Sequence, residues 1–297
     1  MKTFFKKTSI IFAAVATSFT AHAGGFDDAT WYVSLDIEQA RAKLIPHLSE
    51  HTKSNNNFEF TALTPVGVNQ VTMYGQSKES STFTMVLSGQ LGDFSAVNFI
   101  NELEKQAGED ARVTLKESTK NNGHTIEHFV IAGDENNKSF YTAKLTDNTM
   151  VASFERQEVF NWTSNKYNTL GLHQTGLVTV QVNIASAMMH MGADIDQGAE
   201  PFQSHMFQKI NQVSASLTED QDDLLIEVAL VTEDEAAAKQ VNAVVNGLVA
   251  MNALSDASSS NKAVSALLDN LDISNKGNHV MILSHLPLAI LAEIDFN

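Results

Sequence analysis

The chain has no cysteine in its 297 residues. It therefore folds without disulfides, and it offers no thiolate metal site, no thiol nucleophile and no cysteine for lipid attachment. Positive charge is scarce as well. Lys and Arg number 19 against 35 Asp and Glu, for a formal net charge of −16, and the arginines are only Arg41, Arg112 and Arg156. Neutralising a phosphate backbone needs clustered Lys and Arg, and none occurs beyond the first residues, so nucleic acid is not expected as a partner. An anionic membrane surface is disfavoured on the same ground. The common catalytic signatures are missing too: there is no G-x-S-x-G elbow, P-loop, Rossmann glycine pattern or H-E-x-x-H helix. Triads are assembled in space, so this lowers the expectation of an enzyme without removing it.

What is present begins with a leader. Lys2, Lys6 and Lys7 form a positive region, Ile10 to Val15 an apolar core, and Ala21-His22-Ala23 an A-x-A cleavage pattern. The apolar part is far shorter than the roughly 20 residues that span a bilayer. A secretory signal peptide is expected over residues 1–23, with a mature chain from Gly24 that is periplasmic or secreted and keeps no membrane span. Losing the three signal lysines takes the formal charge from −16 to −19. Such acidity suits solubility in a salty compartment, and a protein partner is expected to present a basic face.

The body of the chain alternates strand and helix patterns. WYVSLD (Trp31 to Asp36) reads as a strand, and Ile37, Ala40, Leu44 and Leu48 mark one helical face behind it. Strand runs follow at VNQVTMYG and TFTMVLSG. Asp93 is a fitting N-cap for a helix with Ala96, Val97, Ile100 and Leu103 inward. RVTLKE, HTIEHFVIAG, SFYTAKL and TMVAS come next, with turns at Asn121-Asn122-Gly123 and Asp147-Asn148. Further on, LVTVQVN, NQVSASL and LLIEVALV read as strands, the last two a hairpin across Thr218 to Asp223. Thr232 and Glu235 form a T-x-x-E capping box before a helix with Val241, Val244, Val245, Leu248 and Val249 on one side. A short helix AVSALLDNL, a turn at Asn275-Lys276-Gly277, the strand NHVMILS and a terminal helix opened by Pro287 complete the pattern.

The stretch LLIEVALVTEDEAAAKQVNAVVNGLVAMN is echoed by FTMVLSGQLGDFSAVNFINELEK. The order of elements predicts an α+β protein of two tandem, pseudo-repeated β-α-β-β-α-β (ferredoxin-like) modules with antiparallel sheets. Residues 24–160 would form one module, 161–176 a linker and 177–297 the other.

Candidate ligands are few. His47 and His51 stand four apart in a helical pattern, on one face, with Glu50 beside them, and a divalent metal is the one cofactor they suggest. His124 and His128 share that spacing in a strand pattern, where four residues span about 13 Å, too far to share an ion. His190 lies among Met188, Met189 and Met191, a cluster that reads as core. The acidic groups Glu219, Asp220, Asp222, Asp223 and Glu233, Asp234, Glu235 invite a calcium reading. They flank a strand about 30 Å long, however, and read as solvated turns. Asp194-x-Asp196-x-Gly198-x-Glu200 lacks the full EF-hand ligand set. The expected function is an exported, acidic, non-catalytic binding or interaction protein; the alternative is a metal-dependent or otherwise unrecognised periplasmic enzyme using a histidine/carboxylate site, with His47, Glu50 and His51 as its first candidates.

Overall fold

Strands rich in Val, Thr, Phe and Tyr dominate the described residues, and within each unit paired strands run in opposite directions. The computed structural model describes residues 29–44, 46, 67–75, 83–92, 94–98, 112–132, 138–167, 176–184, 209–253, 266–268 and 270–292. The chain divides into two units, Met1–Glu38 with Ser54–His173, and Gln39–Lys53 with Gln174–Asn297.

The first unit holds β1 (Trp31–Asp36), β2 (Val68–Gly75), β3 (Thr84–Gly89), β4 (Arg112–Asn121), β5 (His124–Ala132), β6 (Lys138–Thr146) and β7 (Thr149–Ser153). Their spatial order is β1-β2-β3-β7-β6-β5-β4. Two-residue turns make the hairpins: Asn122-Gly123 joins β4 to β5, and Asp147-Asn148 joins β6 to β7. Asn122 at φ 48° and Gly123 at φ 86° supply the left-handed pair that a tight hairpin turn of this kind requires. Where β2 meets β3, Gly67 and Gly89 sit so close that a Cβ on either would collide with the other strand's backbone. A short helix, Ile37–Gln39 (α1), follows β1, and Arg156–Thr163 (α2) follows β7. α2 lays Val159 and Trp162 onto Tyr74, Val86, Ile126, Ala143 and Val151 of the sheet.

The second unit holds β8 (Val178–Asn183), β9 (Ile210–Asp220), β10 (Asp223–Thr232), the long helix α3 (Glu235–Ala253), β11 (Leu271–Lys276) and β12 (His279–Pro287). Its strand order is β11-β12-β10-β9-β8. One face carries two apolar clusters. Ala238 and Val241 of α3 pack with Ile210 and Val280, fringed by Val213, Leu230, Val245 and Ile273. Towards the other end of β10, Leu177, Leu224, Leu286 and Leu288 pack with Leu44, Leu217, Leu267 and Ile290. The helix starts from Asp234, whose Oδ1 accepts the Ala237 N–H at 2.7 Å. The expected Thr232 cap is otherwise engaged: Thr232 ends β10 fully buried, and its hydroxyl donates to the Asn278 carbonyl at 2.9 Å. β11 falls where a helix end and a turn were expected, and Pro287 leads into a 3-10 turn, Leu288–Ala292.

The expectation of two ferredoxin-like β-α-β-β-α-β modules is overturned. The described residues are mostly sheet, with seven strands in one unit and five in the other, and the strand orders above are not those of a split βαβ plait. The physical reason is local. Tight turns at Asn122-Gly123, Asp147-Asn148, Gln221-Asp222 and Gly277-Asn278 lay consecutive strands side by side, whereas the plait needs helices to carry the chain past a neighbour. What the units share is narrower. The order β8-β9-β10-β12-β11 runs as β1-β2-β3-β7-β6 does, and the β4–β5 hairpin has no counterpart among the described strands of the second unit. The quoted echo corresponds to β3 and β10 and the segments after them.

Candidate functional site

α2 brings a buried carboxylate together with two tyrosines and a tryptophan. Its eight residues, RQEVFNWT, have one inward side made by Glu158, Val159, Trp162 and Thr163, all buried. Glu158 is 3% exposed, so its carboxyl must find donors within the protein. It finds two tyrosines: Tyr74 of β2 donates to Oε2 at 2.9 Å, and Tyr167, just past the helix, donates to Oε1 at 3.0 Å. Trp162 Nε1 donates to the Tyr74 hydroxyl at 2.7 Å, and Asn161 Nδ2 to the Tyr167 hydroxyl at 2.8 Å. The Trp162 and Tyr167 rings meet edge to face, with centroids 5.4 Å apart. Burial, and then the negative charge of Glu158, push the Tyr74 hydroxyl well above the usual tyrosine range. Tyr74 therefore stays protonated and acts as a relay donor, with neither a phenolate nucleophile nor a base to offer.

The end of α2 is fastened to the β4–β5 hairpin. Asn121 Nδ2 reaches the hydroxyls of Thr163 at 2.7 Å and Ser164 at 2.9 Å and the Phe160 carbonyl at 3.3 Å. Asn122 Nδ2 donates to the Thr163 carbonyl at 3.2 Å. The Asn122 amide thus serves a carbonyl of the last helical turn, and Asn121 adds a further donor to the Phe160 carbonyl, which already accepts the Ser164 N–H at 3.0 Å.

A second polar group lies on the same hairpin. His128 is buried, stacks on Tyr141 with ring centroids 4.4 Å apart, and shares a hydrogen bond with Ser139 at 3.0 Å through Nε2. Its Nδ1 stands 3.5 Å from Glu117 Oε1 across the β4–β5 pair and makes no hydrogen bond. His124 is in the same strand, as the strand pattern predicted, and its Nδ1 faces the Lys144 carbonyl at 3.1 Å.

His47, Glu50 and His51 lie outside the described residues, as do His190, its methionines and Asp194 to Glu200. Among the described residues no three His, Asp or Glu side chains converge as a metal site would require. The two acidic groups of the second unit fall at opposite ends of the ten-residue β10, about 30 Å apart at the strand rise. Lys43 pairs with Glu219, and Lys239 with Glu235 at 2.7 Å. Asp220, Gln221 and Asp222 form an exposed hairpin tip, with Gln221 left-handed at φ 59°.

Sequence reading missed the Tyr74–Glu158–Trp162–Tyr167 group. Glu158 stands 84 residues from Tyr74, and ERQEVFNW is too short for its period to declare an inward carboxylate. A glutamate beside an aromatic pair was the only available sign.

No protein-family model and no curated protein matches the chain. Among solved structures it is similar to crystal forms of TP0453. Form III aligns at 13% identity and a TM-score of 0.46, over 92% of this chain and 95% of that one. Form IV aligns at 13% identity and 0.42, over 95% and 98%, and form I at 13% and 0.41, over 89% and 92%. Similarity of this degree assigns no function. No described helix is long and apolar enough to cross a membrane.

Proposed function

We propose that the protein is an exported, acidic, non-catalytic binding protein whose partner is a protein with a basic face. The observation that carries this reading is that the members of the buried polar group in the first unit engage one another. Glu158 and the hydroxyls of Tyr74 and Tyr167 are bonded to one another and to Trp162 and Asn161. A general acid or base must reach a substrate proton within hydrogen-bond distance, and these groups are already engaged inside the core. The exposed acidic residues have the opposite disposition. Asp220 and Asp222 stand in solvent at the β9–β10 tip with Asp223 half-buried beside them, while Glu219 is neutralised by Lys43. A cluster of one sign at a hairpin tip steers an oppositely charged partner.

Binding of the exported chain to immobilised poly-lysine, a minimal basic surface, tests the reading. Between 0.01 and 0.1 M salt the Debye length falls from about 30 to about 10 Å, and the association rate is expected to fall with it. Replacing Asp220, Asp222 and Asp223 by Asn is expected to slow association more than replacing Glu117, Asp147 and Asp272 by their amides. Equal slowing by the two sets would overturn the assignment of the tip, and a salt-independent rate would overturn the basic partner.

A further inference from the structure

Asn-Gly occurs twice in the chain, as Asn122-Gly123 and Asn246-Gly247. The fold treats the two differently. Asn246-Gly247 lies within α3, where the Gly247 N–H belongs to the i→i−4 ladder and is held against the preceding turn. Asn122-Gly123 is the exposed two-residue tip of β4–β5, closed by the Asn121–His124 pair. No backbone carbonyl among the described residues accepts the Gly123 N–H. The space beside Gly123 is open, since a Cβ there would meet nothing within 4 Å. Both residues of the tip are exposed, and the Asn122 amide is held by its bond to the Thr163 carbonyl.

We propose that Asn122 is a site of spontaneous deamidation and that the reaction releases the β4–β5 hairpin from the end of α2. The Gly123 backbone nitrogen attacks Cγ of Asn122, the Cγ–Nδ2 bond breaks, and the Gly123 amide proton leaves with the departing group as ammonia. Water then opens the cyclic imide at either carbonyl, leaving aspartate or isoaspartate. One water is consumed, one ammonia is released, and no oxidant or reductant takes part.

The consequence follows from the bond that Asn122 makes. Its Nδ2 donates to the Thr163 carbonyl at 3.2 Å. After deamidation a carboxylate faces that carbonyl, two acceptors with no proton between them, at the helix end where the backbone dipole is already negative. Asn121 still reaches Thr163 and Ser164. The isoaspartate product additionally inserts a backbone carbon into a two-residue turn, which cannot keep its left-handed geometry. The hairpin clamp on the helix that carries Glu158 and Trp162 is thereby weakened in one direction only.

The full chain incubated in mildly alkaline buffer at physiological temperature, then mapped by peptide mass spectrometry with isoaspartyl methyltransferase labelling, gives the rate at each site. Asn122 is expected to react severalfold faster than Asn246 in the native protein, and the two rates are expected to converge in urea. Native rates that are equal, or faster at Asn246, would overturn the site. Asn122→Asp, which installs one product directly, is expected to lower the Tm, with Asn275→Asp at an exposed position of β11 as the control. If both variants lower the Tm equally, or Asn122→Asp leaves it unchanged, the release of α2 is overturned even where Asn122 reacts first.

Discussion

Among the described residues, α2 and α3 pack on their sheets by opposite plans. In the first unit α2 has eight residues and is anchored by a carboxylate, two tyrosines and a tryptophan in a connected set of hydrogen bonds. In the second unit α3 has nineteen residues and is anchored chiefly by aliphatics over its first half, with one exposed hydrogen bond from Lys209 to Gln240. Val241 is fully buried, whereas Leu248 is 56% exposed and Met251 71%. A short helix cannot bury enough apolar area to hold itself, so directional bonds fix its position. A long helix has area to spare, and its far end stays open. The difference is one of specificity against capacity: removing one partner from the polar anchor strands the others, while the apolar anchor tolerates change wherever the sheet does not reach.

The comparison is broken most forcefully along α3. Val241→Asp is expected to destabilise by about 3–5 kcal/mol, because it buries an unpaired charge against Ile210 and Val280. Leu248→Asp, two turns on, is expected to stay within about 0.5 kcal/mol. Denaturant titration of the two variants measures both, and equal losses would mean that the helix is buried along its whole length.

A smaller effect tests the polar anchor. Glu158→Ala is expected to cost about 2–4 kcal/mol by leaving the Tyr74 and Tyr167 hydroxyls without their acceptor, and Tyr74→Phe about 1–3 kcal/mol. The tyrosine also has a pH signature. Its folded value is raised above the ordinary 10.0, so its contribution is complete below pH 10.0 and is lost as the pH rises further, when the unfolded chain releases a proton that the folded chain keeps. Alkaline titration of stability is expected to show a steeper decline in the parent than in Tyr74→Phe, and parallel curves would sink that account.

The smallest expected change lies at the exposed start of α3. The hydrogen bond from Lys239, then its charge, hold Glu235 below the ordinary 4.5. A depressed carboxyl stabilises above its unfolded value and loses that contribution as pH falls through the folded one. Glu235→Gln is therefore expected to lower the Tm slightly at neutral pH and to match the parent in acid, and a difference that persists in acid would assign the effect to something other than this pair.

Much of the local structure was legible. β1, β2, β3, β5, β7, β9 and β10 fall on the runs that alternation marked, and the Asn122-Gly123 turn is where turn chemistry placed it; the turn expected over Thr218 to Asp223 narrows to Gln221-Asp222, because β9 stays paired to Asp220. The helical stripe of α3 was legible as well, but its depth was not. Periodicity centred it on Val245, which lies half-buried at the fringe, because a helix repeats its apolar side whether or not a sheet lies under every turn. The α2 anchor was illegible for a different reason. Its members come from β2, α2 and the segment after it, and none carries a spacing that points to the others.

By itself the sequence determined what acts over a few residues: which runs extend, which pairs turn, which stretch coils, and an acidic, cysteine-free composition that disulfides cannot stabilise. Tertiary structure alone decided which strands are neighbours, and so replaced the expected plait with β1-β2-β3-β7-β6-β5-β4 and β11-β12-β10-β9-β8. It also decided that Glu158 is a buried acceptor and that Leu248 faces water. The physical reason is the range of the forces. Backbone propensity and turn geometry are settled by adjacent residues, but strand pairing and burial are settled by partners tens of residues away, whose contacts outweigh any local preference.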